Sequence, residues 1–230
     1  MGNYPQMKET ICNCDVDNDP LFIDNLYFKE IKVKLIVANP VLYVKSKLTD
    51  LIYVWHSGFT FVKLMSGKLK TILENNRNSG LQFIQCSIFK DGLEHQDYWI
   101  MNMFEFNHEY IDIANSKVYY EKHSDDFNIS YKTDKILLNL DNFSEFMEYV
   151  EIAKVKTEMI VIENLKLIND IKDDFFRLRY VSGKMYIISE KLKKEIEDAG
   201  CTGIEFQPVE LSLNEWLIHG GEREKIYGKA

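Results

Sequence analysis

The stretch Met185–Pro208 reads MYIISEKLKKEIEDAGCTGIEFQP and holds one complete structural unit. Its apolar, β-branched run at 186–188 predicts a strand, and Ser189 is a residue type that caps a helix by accepting a bond from a first-turn amide. The apolar side chains that follow recur at helical spacing, which predicts an amphipathic helix (Leu192, Ile196 and Ala199). Gly200 suits the left-handed residue that ends many helices, and the alternating residues 204–206 predict a second strand.

The same unit occurs earlier in the chain. A shift of 123 residues without a gap places residues 66–83 over 189–206, with seven identities in 18 positions. The identities fall on the helix cap, the apolar helix face, the turn glycine and the final strand. We therefore expect a repeated strand–helix–strand unit, at about 61–85 and 185–208, with a serine at the start of each helix. Gly67 occupies the first helical position of the earlier copy, so this copy is expected to be the less stable one.

The rest of the chain is rich in strand patterns and poor in helix patterns. Apolar or alternating runs predict strands at 31–37, 98–106, 135–140, 157–163 and 175–180. Helical spacing predicts one further short helix at 144–153, with Ser144 as its cap. This balance predicts an α+β fold in which a mixed, mainly antiparallel β-sheet carries a few short helices. The 230 residues are expected to form an N-terminal lobe (1–90) and a C-terminal lobe (91–230), or one continuous domain.

The chain is acidic, with a formal net charge of −8 and a pI near 5.2. This charge disfavours nonspecific binding to nucleic acid or to anionic membranes, and it suits a basic protein partner. No run reaches the roughly 18 apolar residues that a membrane span needs, and residues 1–20 lack the basic start and apolar core of a secretory signal. We therefore expect a cytoplasmic protein with no nucleic-acid or membrane partner.

The sequence contains no motif for catalysis, cofactor binding or metal binding. One residue separates Cys12 from Cys14, which is too short a spacing for a zinc site, and the five histidines are scattered. Glycine-rich phosphate loops and the Gly-x-Ser-x-Gly elbow are absent. We therefore expect no cofactor, no metal and no catalytic residues. One enzymatic alternative is a hydrolase whose histidine and carboxylate meet in space, near His95, His108 and Asp112.

Four features follow one another in order from residue 98 onward. They are an aromatic-led strand that ends in asparagine, an Asp and a Ser four residues apart, a Phe-Arg strand, and a serine-led helix before a Thr-Gly-x-x-Phe strand. The residues that carry them are Tyr98, Trp99, Asn102, Asp112, Ser116, Phe176, Arg177, Ser189, Gly200, Thr202, Gly203 and Phe206. This ordered set resembles the bacterial polymorphic-toxin immunity proteins of the eleventh family in that nomenclature.

The resemblance implies a non-enzymatic protein that binds a cognate secreted toxin domain and neutralises it. It also implies that the motif residues are structural, as caps, turn glycines and core aromatics. Partner contacts are then expected in loops outside the motifs, at 121–126 (with Glu121, Ser124, Asp125 and Asp126) and at 141–156. Acidic surface there would speed association with a basic toxin. Besides the hydrolase, an adaptor protein unrelated to toxins is an alternative that fits the same sequence.

Overall fold

The computed structural model describes residues 6–12, 15, 19–23, 28–54, 59, 62–123, 133–182 and 186–228. Within these ranges the chain forms thirteen β-strands and five α-helices. The strands are β1 (Met7–Ile11), β2 (Asn39–Leu42), β3 (Leu51–Ile52), β4 (Lys63–Ser66), β5 (Leu81–Gln85), β6 (Ile88–Lys90), β7 (Leu93–His95), β8 (Tyr98–Met103), β9 (Lys117–His123), β10 (Thr133–Leu138), β11 (Met159–Asn164), β12 (Phe175–Arg177) and β13 (Tyr186–Ile188). The helices are α1 (Gly67–Asn75), α2 (Phe143–Lys156), α3 (Glu190–Asp198), α4 (Leu213–Leu217) and α5 (Glu222–Tyr227).

The described strands form four small sheets rather than one large sheet. Their strand orders are β1-β2-β6-β7, β3-β4-β8-β5, β10-β9-β11 and β12-β13. Neighbouring strands run antiparallel except β2 and β6, which are parallel. The predicted α+β fold with mainly antiparallel pairing is confirmed. The strand predicted at 31–37 is wrong, because within the described residues this run makes only an isolated bridge, from Ile36 to Phe22.

Both copies of the repeated unit begin as expected. In each, a strand (β4 or β13) leads into a serine that caps a nine-residue helix (α1 or α3). Ser66 and Ser189 share an extended backbone, with φ/ψ of −67°/159° and −72°/159°. Each Oγ accepts a hydrogen bond from the third helical amide, at 3.3 Å from Leu69 and 3.1 Å from Leu192. The third element differs between the copies. Strand β5 follows α1, whereas residues 204–206 after α3 pair with no described strand, so the second strand predicted for the later copy is wrong.

The duplication extends upstream to a pair of equivalent aspartates. Asp50 precedes β3 and Asp174 precedes β12, and each of these strands pairs with the strand that leads into the capping serine. Ser66 donates its hydroxyl to Asp50 at 2.7 Å, and Ser189 donates to Asp174 at 2.6 Å. Each serine N–H also donates to the main-chain carbonyl of the same aspartate, at 2.8 and 2.9 Å. The separation is 16 residues in one copy and 15 in the other, so an ungapped comparison misses this part of the repeat.

The two units dock on each other. Thr202 donates its N–H and its hydroxyl to Oδ2 of Asp50, at 2.8 and 3.0 Å, and its carbonyl accepts from the N–H of Leu51 at 3.0 Å. In the opposite direction, Nη1 of Arg77 donates to the carbonyl of Phe175 at 2.9 Å. The turn after each helix is therefore bonded to the strand that opens the other unit.

Three hydrophobic clusters form the core of the described chain. The first takes its buried residues from 7–100 and the second takes them from 111–187. The third lies between the paired units and combines side chains of α1 and β8 with side chains of β12 and α3. Two sheets contain strands from both sides of residue 90, because β7 pairs with β6 and β8 lies between β4 and β5. The division into lobes 1–90 and 91–230 stays a prediction.

Helix α2 covers the β10-β9-β11 sheet. It buries Phe146, Val150 and Ala153, and the first two pack with side chains of β9 and β11 in the second cluster. The helix begins one residue before the predicted start, and its cap is Asn142 rather than Ser144. The side-chain oxygen of Asn142 accepts a hydrogen bond from the third helical amide at 3.1 Å. The prediction had assigned this capping bond to Ser144. No helix of the described residues is both long and apolar enough to cross a membrane.

Candidate functional site

Three motif residues lie on β8, within a four-stranded sheet. Tyr98 is buried and donates its hydroxyl to the carbonyl of Thr49 at 3.1 Å, and burial raises the pKa of Tyr98 to about 12. Trp99 is half-buried, with the ammonium of Lys70 4.9 Å from a ring centroid. Asn102 is buried and donates to a main-chain carbonyl at 2.9 Å. Each of these side chains is engaged with another part of the same chain.

The Phe-Arg motif on β12 is buried. The guanidinium carbon of Arg177 lies 4.7 Å from the ring centroid of Phe28 and 5.0 Å from those of Phe106 and Tyr186. Nη1 donates to the main-chain carbonyl at the end of β8. Cation–π contacts strengthen when the cation is removed from water, although burial also lowers the pKa of Arg177. Phe176 packs into the second cluster, so this motif joins several segments in the interior.

Asp112 and Ser116 close a tight turn before β9. The carboxylate of Asp112 accepts from the N–H and the side-chain amide of Asn115, at 3.2 and 2.8 Å. The hydroxyl of Ser116 donates to the carbonyl of Asp112 at 2.7 Å and accepts from the N–H of Lys166 at 2.9 Å. A separation of four residues lets the serine reach back to that carbonyl, so the pattern forms the turn and ties it to the chain after β11.

The closing motif lies at the contact between the two units. Gly200 follows α3 with a φ of +64°, and Thr202 makes the bonds to the first unit described above. Gly203, at φ +82°, lies so close to that unit that a Cβ would be 2.3 Å from the carbonyl oxygen of Leu51. The N–H of Phe206 donates to a hydroxyl on α5 at 2.8 Å. These contacts support the structural role expected for the motif, which stays a prediction.

The residues of the hydrolase alternative do not assemble into a catalytic pair. His95 lies on β7 in the first sheet, whereas the ring of His108 stacks against Phe106 and Phe143, with centroids 5.5 and 5.4 Å apart. Burial lowers the pKa of His108, and its Nε2 has no hydrogen-bond partner among the described residues. The carboxylate of Asp112 is bonded within its own turn. No described contact joins either histidine to Asp112.

Metal-binding side chains are dispersed as well. In the part of the chain that the structure describes, no group of three or more His, Cys, Asp or Glu residues is placed to hold a metal ion. Cys12 is bonded in a disulfide, so its sulfur is not available as a thiolate ligand. Cys14 lies outside the described residues.

Exposed apolar side chains gather on the lobe formed by α2 and the β10-β9-β11 sheet. Four of them lie on α2 or on the sheet face that it covers and form the α2/β10 surface, which we define as Ile136, Tyr149, Ile152 and Val155. The ring of Tyr149 contacts that of Tyr120 on β9, with centroids 6.3 Å apart, and Tyr120 is the register partner of Ile136. Helix α2 therefore lies over the sheet face that carries Ile136, with its closest approach to β11. Grouped exposed apolar side chains mark interaction sites more often than scattered ones do.

The same lobe is acidic. Residues 133–163 hold seven acidic and three basic side chains and β9 holds one acidic and two basic ones, which gives a net charge of −3 against −8 for the whole chain. Exposed carboxylates follow the outer side of α2, at Glu148 and Glu151. The α2/β10 surface thus combines apolar contact area with a negative field, and such a field favours encounter with a basic partner.

A separate feature is a concave groove of about 2580 Å³ between the first sheet and the C-terminal helices. Its lining includes the exposed apolar residues Val44 and Leu217, together with Lys63 and Tyr186. The ammonium of Lys63 lies 5.8 Å from the ring centroid of Tyr186, and burial together with the charge of Arg177 lowers the pKa of Lys63. Acidic and basic side chains both line the groove.

The described part of each predicted contact segment lies in the lobe of α2 and the β10-β9-β11 sheet. Glu121 lies on β9, and most of 141–156 is helix α2 rather than a loop, which corrects the description of that segment. Ser124, Asp125 and Asp126 lie outside the described residues. Sequence reasoning missed the exposed edge of β10. Its strand was predicted at 135–140, but the apolar pattern carries no signal that distinguishes an edge strand from a central one.

Comparison with protein-family models matches residues 29–211 to the immunity protein family Imm11. The match covers 183 of the 230 residues and begins well before Tyr98, so the similarity is wider than the motif residues indicate. A search of curated proteins finds no match. The matched range contains both repeated units, the buried Arg177 and the whole α2/β10 surface. The chain therefore belongs to the immunity protein family Imm11.

Proposed function

We propose that this chain is an immunity protein that binds a cognate secreted toxin domain and neutralises it by protein–protein contact, without catalysis. Membership of the family supports a toxin as the protein partner. Neutralising a toxin inside the producing cell requires a cytoplasmic protein, so cytoplasmic localisation is part of the same proposal.

The observation that carries the proposal is the α2/β10 surface, which lies inside the matched range. Apolar side chains that become buried in a complex supply most of the affinity. Carboxylates around them speed the encounter with a basic toxin and disfavour acidic partners. The toxin contact is therefore assigned to this lobe, and binding should weaken as salt screens the negative field.

Co-expression with a toxin domain encoded next to this gene tests the function and the surface together. The wild-type chain should restore growth and co-purify with the toxin domain. A double variant, Ile152→Asp with Val155→Asp, adds two carboxylates to the outer side of α2, where the side chain of Val155 is 87% exposed. The fold should be retained and the complex lost. Val44→Asp is the matched control, because Val44 is 75% exposed but lines the groove instead.

Each outcome has a distinct meaning. Growth arrest in the presence of soluble, folded wild-type protein would contradict the immunity function and favour the adaptor alternative. Binding that survives the double variant on α2 but is lost in Val44→Asp would move the contact to the groove and contradict the assigned surface.

A further inference from the structure

The edge strands of the sheets differ in how well they are protected. A sheet edge exposes unpaired backbone N–H and C=O groups, which act as a template for a further strand. β3 and β7 have only two and three residues, and β1 has a register shift between Met7 and Glu9. β11 is covered on its outer side, where Ile162 donates to the carbonyl of Tyr180 and accepts from the N–H of Ser182. Short strands, bulges and covering segments are common ways to block edge pairing.

β10 shows none of these protections among the described residues. It is six residues long, it pairs with β9 along its whole length without a bulge, and no backbone bond of the described chain engages its second edge. Residues 134–137 are all exposed. Ile136 is 42% exposed and Leu137 is 52% exposed, and as neighbours in a strand they project from opposite faces. A long edge with apolar side chains on both faces favours pairing with another strand.

Lysine on an edge strand often prevents such pairing, but Lys135 extends across the sheet instead. Its ammonium lies 3.0 Å from a carboxylate oxygen of Glu121 on β9, and it also pairs with Glu163 on β11. The same ammonium lies 5.9 Å from the ring centroid of Tyr119, again on β9. The side chain is therefore held over the neighbouring strands, and the outer edge of β10 stays uncovered.

We propose that the toxin contributes an extended segment that pairs with β10 as an additional strand, giving the order toxin–β10–β9–β11. This inference rests on the proposed function, since it takes the toxin as the partner. The open backbone groups of β10 select an extended chain, because a strand satisfies them in register whereas a helix does not. Six residues at about 3.3 Å each offer a pairing length of about 20 Å.

The side chains around the edge define the chemistry of the added strand. Ile136 shares a sheet face with Tyr120, whose ring contacts Tyr149 of α2. An apolar side chain on that face of the added strand would pack against Ile136. Leu137 is exposed on the opposite face of the sheet, so a second apolar side chain on that face of the added strand would pack against it. Asp134 is exposed near the start of β10, and a lysine or arginine opposite it would be favoured as a cross-strand pair. The partner segment is therefore an apolar strand with a basic end.

Hydrogen–deuterium exchange tests the pairing on the wild-type chain, with and without the co-expressed toxin domain. Successive amides of a strand point to opposite edges, so about three of the six amides in β10 should become protected, with exchange slowed roughly tenfold or more. Peptides from β2, which lies inside its sheet, should be unchanged. A stable complex with unchanged exchange in 133–138 would overturn strand addition and leave the proposed function intact, whereas failure to form any complex would overturn the proposed function itself.

Two proline variants give an independent test. Ile136→Pro and Leu137→Pro each remove one amide, and the two amides face opposite edges. One variant loses a bond to β9 and is destabilised, while the other changes only the free edge, where proline is tolerated. The stable variant should bind the toxin domain roughly tenfold more weakly or worse, and threonine at the same position should retain most of the binding. Full binding by the stable proline variant, or dimerisation that protects β10 without toxin, would contradict the proposal.

Discussion

Replacing Asp50 with asparagine should destabilise the fold, because this carboxylate joins the two repeated units. Its Oδ1 accepts from Ser66 at 2.7 Å, and its Oδ2 accepts from the N–H and hydroxyl of Thr202 at 2.8 and 3.0 Å, with the ammonium of Lys68 at 3.2 Å. The side chain is only 13% exposed. The equivalent Asp174 binds the capping serine and a lysine of its own unit.

The cost follows from what asparagine can still bond. It keeps one oxygen for Ser66 but turns an NH₂ group towards the N–H of Thr202, which loses its acceptor. A hydrogen bond to a charged group contributes about 1.5–3 kcal/mol. Because Thr202 is exposed, water can partly replace the lost acceptor, and we expect Asp50→Asn to cost about 2 kcal/mol. Asp174→Asn should cost about 1 kcal/mol, since its lysine partner is exposed and its ion pair is screened.

The contribution of Asp50 also depends on pH. Burial alone raises the pKa of Asp50, but hydrogen bonds from Ser66 and Thr202 and the nearby Lys68 outweigh burial, so the folded-state pKa lies below the ordinary value of 3.8. A carboxyl group with a lowered folded-state pKa stabilises the fold above its unfolded pKa, and that stabilisation is lost as the pH falls through the folded-state pKa. The difference between wild type and Asp50→Asn should be constant above about pH 5 and shrink below about pH 4.

Urea unfolding followed by circular dichroism measures both effects, with the free energy of unfolding extrapolated at pH 7 and at steps down to about pH 3. Asp174→Asn is the matched control, because it removes the equivalent carboxylate without touching the contact between units. A cost below about 0.5 kcal/mol for Asp50→Asn, within the range of ordinary surface substitutions, would refute the reasoning. So would a difference between wild type and variant that stays constant through the acid range.

Two further predictions concern the second unit. Ser189→Ala removes the cap of α3 and should lower the free energy of unfolding by about 1 kcal/mol, with toxin co-purification unchanged; weaker binding at unchanged stability would contradict its structural role. Gly203→Ala should cost about 3 kcal/mol, because its φ is +82° and the new Cβ would lie 2.3 Å from a carbonyl oxygen. At Gly200, where φ is +64°, an added Cβ meets no atom within 4 Å, so Gly200→Ala should cost only about 1 kcal/mol for the left-handed backbone. Equal losses at the two glycines in urea unfolding would show that close packing at Gly203 is unimportant.

The helix starts could be predicted from the sequence because capping is a local interaction. Ser66 and Ser189 each bond an amide three residues ahead, within one helical turn. Residues 204–206 show the limit of the same approach. They alternate as a strand does, yet no described strand pairs with them, because strand formation requires a partner that the alternation does not specify.

The docking of the two units was not accessible from sequence. Asp50 and Thr202 are 152 residues apart, and the aspartates of the two copies fall out of register by one residue. Without coordinates, Asp50 is one of 36 acidic residues in the chain. Its importance comes from the groups that converge on it, and those groups are brought together only by the third hydrophobic cluster, between the units.

The sequence by itself determined the acidic charge, the fold class, the ordered motif from Tyr98 onward, and the approximate positions of β10 and α2. These properties depend on composition and on residues a few positions apart. Only the tertiary structure decided that Arg177 lies among three aromatic rings, that α2 lies over the sheet face that carries Ile136, and that β10 is an edge strand that no described segment covers. Burial and edge position are set by contacts between distant segments, and an apolar strand has the same pattern whether or not another strand pairs with its second edge.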